Sequence, residues 1–311
     1  MYTFLYCFDK NYNIQAFTSI ISLLETTSKK ICITIIHTDL ENTKDLPLKI
    51  INHPNLSKVE IYKFDDKNID FPNIEGKHIS KATYYRMYFL KYISIQYKFL
   101  IYVDSDVIFL NCPISSIEIT LNKMKFSNYT ISAKQETDTK VCSIEYTSKL
   151  NMKSNRYFNA GFLIIDIKNW KSLNVEQKLI NLQNELKNVI TYWDQDVLNS
   201  YFDGNFYPLP NNLNYFIDLA KNEPSLEIYN LNISAVHYIG KTKPWSVKGS
   251  LEKNSKFFQD SYKLFSENAY YITHKVKKLS LIDFLKSIFN LKILNVDQPV
   301  KFFLSVMRSF F

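Results

Sequence analysis

Glycine is scarce, with five in 311 residues. Neither a G-x-G-x-x-G nor a G-x-x-x-x-G-K-[ST] motif can be read from them, which argues against a dinucleotide-binding Rossmann enzyme and a P-loop NTPase. Cysteine is sparse too: Cys7, Cys32, Cys112 and Cys142 lie far apart and form no C-x-x-C pair. Cys7 and Cys32 fall in apolar, strand-like runs, so buried free thiols in a reducing compartment are the reading, and neither disulfides nor zinc is supported. No stretch reaches the roughly 18 uninterrupted apolar residues that a membrane span needs. The N-terminus "MYTFLYCFDKNYN" lacks a basic segment followed by a long apolar one. It reads as a first strand rather than a secretory signal. There is no internal repeat, low-complexity segment or flexible linker before about residue 275. These absences point to a cytoplasmic protein.

What is present is the composition of a globular protein, 46% hydrophobic and 22% charged. At roughly 150 residues per domain, the length suits two domains or one large α/β domain. The net charge of +8 is unevenly placed. Residues 275–311 hold Lys275, Lys277, Lys278, Lys286, Lys292, Lys301 and Arg308 against only Asp283 and Asp297. The basicity belongs to the tail.

Strand-like and helix-like patterns alternate through the first hundred residues. "YTFLYCFD" (2–9), "ICITIIHTD" (31–39), "KVEIYKFD" (58–65) and "FLIYVDSD" (99–106) predict strands. Residues 11–28, with Ile14, Phe17, Ile21 and Leu24 on one face, and 80–93, with Ser80 as N-cap, predict helices. Such alternation implies a mostly parallel sheet with helices on both faces. Further strands are expected at 128–136, 162–166, 205–210 and 233–240, and helices at about 170–188 and 194–202. Ligands of open parallel sheets bind beyond the carboxyl ends of the strands. Asp9, Asp39, Asp65, Asp104 and Asp106 all fall there.

Four short segments carry chemistry, and each also has a plain structural reading. In "VDSD", Asp104 and Asp106 end an apolar run of five residues, where charge taken out of water costs several kcal/mol unless it is paired. Converging on one hard cation would resolve that cost; a solvated turn is the plain alternative. In "ISAVHYIGKTKPW" (233–245), His237 ends a strand and is followed by Gly240 and Lys243. An imidazole with two carboxylates suits Mn²⁺, and Mg²⁺ tolerates nitrogen less well. Gly240 would admit a phosphate to the backbone and Lys243 would supply a point charge; a core histidine and a surface lysine are the alternatives. In "YFNAGFLIID" (157–166), Asn159, Ala160 and Gly161 read as a tight polar turn entering a strand, able to meet sugar hydroxyls. In "YWDQDVLNSYF" (192–202), Asp194 could cap a helix with Asp196 in its first turn, which leaves Gln195 without a role.

Taken in order, "FDKNY" (8–12), "HISKATYYR" (78–86), "YVDSDVI" (102–108), "FNAGFLIID" (158–166), "DQDVLN" (194–199) and "HYIGKTKPW" (237–245) resemble glycosyltransferase family 8, and within it the bacterial lipopolysaccharide galactosyl- and glucosyltransferases. The likeness runs from about residue 2 to 265. It implies a GT-A (Rossmann-like) fold and transfer of a hexose from UDP-galactose or UDP-glucose, with Mn²⁺ and with retention of configuration. Asp104, Asp106 and His237 would bind the metal. Asp9, Asn11 and Tyr12 would meet the uracil end and Ser105 the ribose. Lys243 and Gly240 would hold the diphosphate, with His78 near it. Arg86, Asn159 and Ala160, with Asp194 and Gln195 as the catalytic candidates, would surround the donor hexose.

This chain departs from the relatives at two points. Where they carry an aspartate on the strand at 128–136, it reads "SAKQET", with Gln135 at the expected place, and Lys10 replaces the second acid of their N-terminal pair. Retention by double displacement would need a nucleophilic carboxylate opposite the leaving group. Gln195 is a poor nucleophile, so same-face substitution is expected.

The resemblance implies a catalytic domain over 1–265 and a helical tail over 266–311. Basic residues mixed with Leu, Ile and Phe suit an anionic membrane surface, with a packed C-terminal helix hairpin as the plain alternative. The resemblance implies a lipid-linked saccharide acceptor, which agrees with a peripheral site on the inner face of the cytoplasmic membrane. Other readings are a glycogenin-like self-glucosylating primer and a metal-dependent phosphohydrolase or nucleotidyltransferase. A nucleic-acid-binding protein would spread its charge over the core, so no nucleic-acid partner is expected.

Overall fold

The computed structural model describes residues 2–41, 43–67, 69–72, 80–93, 97–221 and 232–311. Its strands are β1 (Tyr2–Phe8), β2 (Ile31–His37), β3 (Leu56–Lys63), β4 (Phe99–Val103), β5 (Val107–Phe109), β6 (Ile131–Gln135), β7 (Phe158–Asp166), β8 (Tyr207–Pro208), β9 (Tyr215–Ile217) and β10 (Ala235–Tyr238). Its α-helices are α1 (Asn13–Thr26), α2 (Leu48–Ile51), α3 (Ile114–Lys125), α4 (Ile144–Lys149), α5 (Ile167–Ser172), α6 (Val175–Glu185), α7 (Trp193–Phe202), α8 (Val247–Ser250), α9 (Lys256–Lys263), α10 (Lys277–Phe289) and α11 (Pro299–Phe310).

A seven-stranded sheet runs in the order β3-β2-β1-β4-β7-β6-β8. β3, β2, β1 and β4 are parallel, β7 is antiparallel to both its neighbours, and β8 pairs parallel with β6. The period-2 rule explains the near-continuous apolar strands, because both faces are covered. Phe4, Tyr6, Phe8, Ile101 and Val103 pack on one side with α1 and α3. Leu5, Cys7, Leu100 and Tyr102 pack on the other, against a 3-10 helix (Lys81–Lys91) and α5 to α7.

The site depends on a change of sheet. β4 ends at Val103, and β5 resumes at Val107 in a second sheet of order β5-β10-β9. The chain crosses between the sheets through Asp104-Ser105-Asp106, a tight turn closed by Val107 N–H to Asp104 O at 3.2 Å. Both carboxylates therefore sit at the seam, which is why the apolar pattern resumes directly after them.

Several local expectations change. The helix expected over 80–93 is a 3-10 helix, capped by Ser80 as anticipated. Its residues are buried on several sides, so no single apolar stripe selects the α-period. The helix expected over 170–188 breaks into α5 and α6, because Asn174 takes a left-handed conformation (φ 50°) that asparagine tolerates better than most residues. Asn159-Ala160-Gly161 is not a turn. It is the buried start of β7, its Gly161 selected by space rather than by chain reversal.

The tail forms α10, a short 3-10 turn (Lys292–Asn295) and α11. Phe284, Val296, Phe302 and Val306 cover Val247, Leu251, Tyr270 and Ile272 of the preceding chain. Among the described residues no helix is long and apolar enough to cross a membrane.

Candidate active site

The two acids of "VDSD" meet different partners. Asp104 Oδ1 accepts from the Tyr102 hydroxyl and lies 3.2 Å from Arg86 Nη2. Asp106 Oδ2 lies 2.8 Å from Lys243 Nζ, and its Oδ1 lies 3.2 Å from His237 Nε2. Burial alone would raise the Asp106 carboxyl, but Lys243 and His237 outweigh it and hold it well below the usual carboxylate range.

Asp104, Asp106 and His237 each direct one ligand atom into a common space, all within 4.8 Å of one another. Asp106 Oδ1 is buried and receives no hydrogen bond, although the imidazole nitrogen is nearby. Two carboxylate oxygens, one of them orphaned, and one imidazole nitrogen form the donor set of a divalent cation such as Mn²⁺. The residues fit a metal. Gly161 makes room for it: a Cβ there would fall 2.3 Å from His237 Cε1 and 3.0 Å from Asp104 Oδ2.

Arg86 joins this cluster to the next. It is 5% exposed, and it lies 2.7 Å through Nε from Asp194 Oδ2, donates from Nη1 to Ala160 O, and stacks 4.1 Å from the Tyr102 ring centroid. Burial works against its charge, yet Asp104 and Asp194 raise its pKa above the ordinary arginine range. Asp194 also accepts from the Thr83 hydroxyl. Burial pushes its carboxyl up, against the pull of Arg86, to about 6.

Asp194 is not the helix cap. The cap position of α7 is Tyr192, and it is Asp196 that accepts the N–H groups of Thr191 and Tyr192, both at 2.7 Å. Gln195 is engaged at both ends of its carboxamide. Its Oε1 accepts Ala160 N–H at 3.0 Å, and its Nε2 donates to the Tyr157 hydroxyl at 3.3 Å.

At the end of β1, Asp9 accepts Asn11 N–H at 2.9 Å and opens the short 3-10 turn Lys10–Tyr12. Burial pushes the Tyr12 hydroxyl up, with Asp106 adding to the effect, and the Tyr12 ring lies edge-on to Trp245 at 6.5 Å. Ser105 is buried in the turn between the two acids. Gly240 adopts φ 75°, a left-handed conformation open to glycine, and faces Asp218. His78 lies outside the described residues. Of the other expected site residues, Arg86, Asp104, Asp106, Asn159, Ala160, Asp194, Gln195, His237 and Lys243 form one linked cluster.

Four contributors were not legible in the sequence. Thr83, Tyr102 and Asn214 bond to Asp194, Asp104 and His237 respectively. Glu136, not Gln135, faces the cluster: Asn159 Nδ2 donates to its carboxylate at 3.0 Å while Gln135 is exposed. Burial raises the Glu136 carboxyl, with Asn159 opposing.

The chain matches the sequence profile of Glycosyl transferase family 8 over residues 3–249. A Haemophilus influenzae protein is 32% identical over 237 residues, covering 75% of this chain and 69% of its own. The lipopolysaccharide 1,3-galactosyltransferase of Salmonella typhimurium is 25% identical over 260 residues, covering 82% and 76%. Among solved structures, the galactosyltransferase LgtC with donor and acceptor sugar analogs superposes with a TM-score of 0.69 at 19% identity, over 89% of this chain and 99% of that one. The mixed sheet with helices on both faces is thus the GT-A fold, and the protein belongs to glycosyltransferase family 8.

Proposed function

We propose that the protein is a retaining hexosyltransferase that moves galactose or glucose from a UDP-sugar to a saccharide acceptor of a bacterial surface glycan. The observation that carries this reading is the seam cluster, in which Asp104, Asp106 and His237 converge around an orphaned carboxylate oxygen beside the Arg86–Asp194 pair. The named functions of relatives, lipopolysaccharide 1,3-galactosyltransferase and 1,2-glucosyltransferase, support the substrate class.

A divalent ion, Mn²⁺ by preference, held by Asp104, Asp106 and His237 would supply Lewis-acid stabilisation of the negative charge on the departing diphosphate. The chain contributes the rest. Lys243, already at Asp106, adds a positive charge beside the same oxygens. Asp9, Asn11, Tyr12 and Ser105 line the nucleoside end and Gly240 admits the diphosphate. Arg86, Asn159, Ala160, Asp194 and Gln195 orient the hexose. The Gln195 oxygen is engaged by Ala160 N–H and Asp194 is tied to Arg86 and Thr83, so neither is a free nucleophile. Same-face substitution, in which the leaving phosphate oxygen takes the acceptor's proton, suits this arrangement.

We assign residues 1–265 to the catalytic unit and 266–311 to a tail that docks on the anionic inner face of the cytoplasmic membrane, near a lipid-linked acceptor. Leu279, Leu285, Phe289, Leu294 and Leu304 of that tail are exposed apolar residues among its lysines.

The test is UDP release from UDP-galactose, UDP-glucose and UDP-N-acetyl sugars with Mn²⁺, with and without simple sugar acceptors. One hexose donor should turn over with the acceptor's help, the product should keep the donor's anomeric configuration by NMR, and Asp106→Asn should lower the rate at least about a hundredfold. Nucleotide turnover indifferent to acceptor, or full activity in Asp106→Asn, would overturn the reading. A trapped glycosyl adduct on Asp194 would overturn the same-face mechanism alone.

A further inference from the structure

We propose that Asn214 and Asn159 form a carboxamide relay that sets the tautomer of His237 and so aims its Nε2 lone pair at the Asp104/Asp106 space. The proposal rests on the metal reading above for its purpose, but not for its geometry.

The relay starts from a donor that cannot be reversed. Gly161 N–H donates to Asn159 Oδ1 at 3.0 Å, which fixes the oxygen end of that side chain, and its Nδ2 accordingly donates to Glu136 at 3.0 Å. Asn159 Oδ1 also meets Asn214 Nδ2 at 3.2 Å, so the amino end of Asn214 is spent there. The oxygen of Asn214 is left to face His237 Nδ1 at 3.0 Å. An amide oxygen only accepts, so Nδ1 must carry a proton. In a neutral imidazole the other nitrogen, Nε2, then holds a lone pair. That nitrogen lies 3.2 Å from Asp106 Oδ1, the buried oxygen that receives no hydrogen bond. A lone pair facing a carboxylate oxygen is relieved by a second ring proton or by a metal ion between the two atoms, so the same geometry that lets the imidazolium hold Asp106 down offers Nε2 to a metal once that proton is gone.

The relay is well enclosed. Asn214 is fully buried, Asn159 is 8% exposed, and the Phe216 ring stands edge-on to the imidazole at 6.1 Å, which limits its rotation. Partners beyond the ligands commonly fix the orientation of a metal-binding histidine, and losing one costs about 10- to 100-fold in metal affinity. Asn214 and Asn159 are positioning residues acting through His237.

The test reads the tautomer directly. In metal-free protein with ¹⁵N-labelled histidine, at a pH raised until His237 carries a single ring proton, that proton should lie on Nδ1. A His237→Gln variant identifies its signals among the five histidines. Asn214→Leu should release the tautomer and weaken Mn²⁺ binding, followed by electron paramagnetic resonance in the presence of UDP, about tenfold or more. A wild-type neutral imidazole with its one proton on Nε2, or an Asn214→Leu variant with unchanged tautomer, would overturn the relay. Wild-type protein that binds no Mn²⁺ would overturn the metal reading, while the NMR signal would still decide the relay.

Discussion

At the scale of single residues, most of the residues that the structure gathers at the seam could be named before any coordinates, and several of those that hold them could not. Asp104, Asp106 and His237 stand out at the ends of apolar runs, where burial demands a partner, whereas Arg86 enters only through the family resemblance and Asp194 reads as a helix cap as readily as a site residue. Asn214 sits in the polar stretch "NNLN", and nothing local says that it faces a histidine 23 positions on. The resemblance to the relatives points to Gln135, but the register of β6 on β7 slips between Ala133 and Lys134. The shift is of three residues, and an odd shift exchanges faces, which brings Glu136 in and turns Gln135 out. Gly161 suggests a turn because glycine is a turn residue, whereas its role is to leave space for His237 and Asp104. Gly161→Ala should therefore displace the imidazole and weaken Mn²⁺ binding about tenfold or more, with the circular dichroism spectrum of the folded protein retained. Unchanged affinity in that variant would show that the close approach is dispensable. Asp194 gives a second prediction. Burial raises its carboxyl to about 6, so below that pH it takes up a proton and loses its attraction for Arg86. Transfer should fall on the acid side with an apparent pKa near 6 in the wild-type protein. In Asp194→Asn that limb should vanish from a rate already low at every pH. A limb that persists in the variant would assign it to another group.

At the scale of elements, the 3-10 helix Lys81–Lys91 does something an α-helix would not. Side chains three apart eclipse in a 3-10 helix, so Thr83 and Arg86 lie in one row, and both reach Asp194. Arg86 also bonds back to the Thr83 carbonyl at 3.0 Å and to its hydroxyl at 3.1 Å, which braces the guanidinium against its own helix. The sequence shows a helical stretch there but not its period, because a short aromatic-rich run does not distinguish 3.0 from 3.6 residues per turn. Thr83→Val would remove a hydroxyl that donates to a buried carboxylate and accepts from the arginine. Hydrogen bonds to charged groups contribute about 1.5–3 kcal/mol, and the unfolding free energy should fall by about that amount. Thr83→Ser should retain most of it. Denaturant unfolding at neutral pH checks both; equal stability of the valine and serine variants would refute the bracing role.

At the scale of the whole molecule, the tail is two-faced, and that duality shapes how the proposed membrane role is tested. One face is structural: Phe302 and Val306 are fully buried against Val247, Leu251, Tyr270 and Ile272, and Lys292 pairs with Glu252 at 3.1 Å. Deleting residues 275–311 would uncover that apolar patch and confuse loss of anchoring with loss of packing. The other face carries Leu279, Leu285 and Phe289 at 60%, 45% and 84% exposure. Burying a large apolar side chain contributes ~1.5–3 kcal/mol, and each lysine or arginine near an anionic surface contributes ~1 kcal/mol. Replacing those three apolar residues together by serine removes the apolar contribution of α10 without opening the internal interface. Partition onto anionic vesicles should then fall about a thousandfold or more. Wild-type binding should weaken on neutral vesicles or in high salt, because the charge contribution is screened. Transfer to a soluble sugar acceptor should stay unchanged, since the substituted face is distinct from the residues that line the seam cluster. Vesicle binding that survives the triple substitution would move the anchor elsewhere on the molecule. If soluble-acceptor transfer is lost with it, the tail serves the active site itself, and the contact that could transmit this is Lys275, 5.8 Å above the ring of Tyr12.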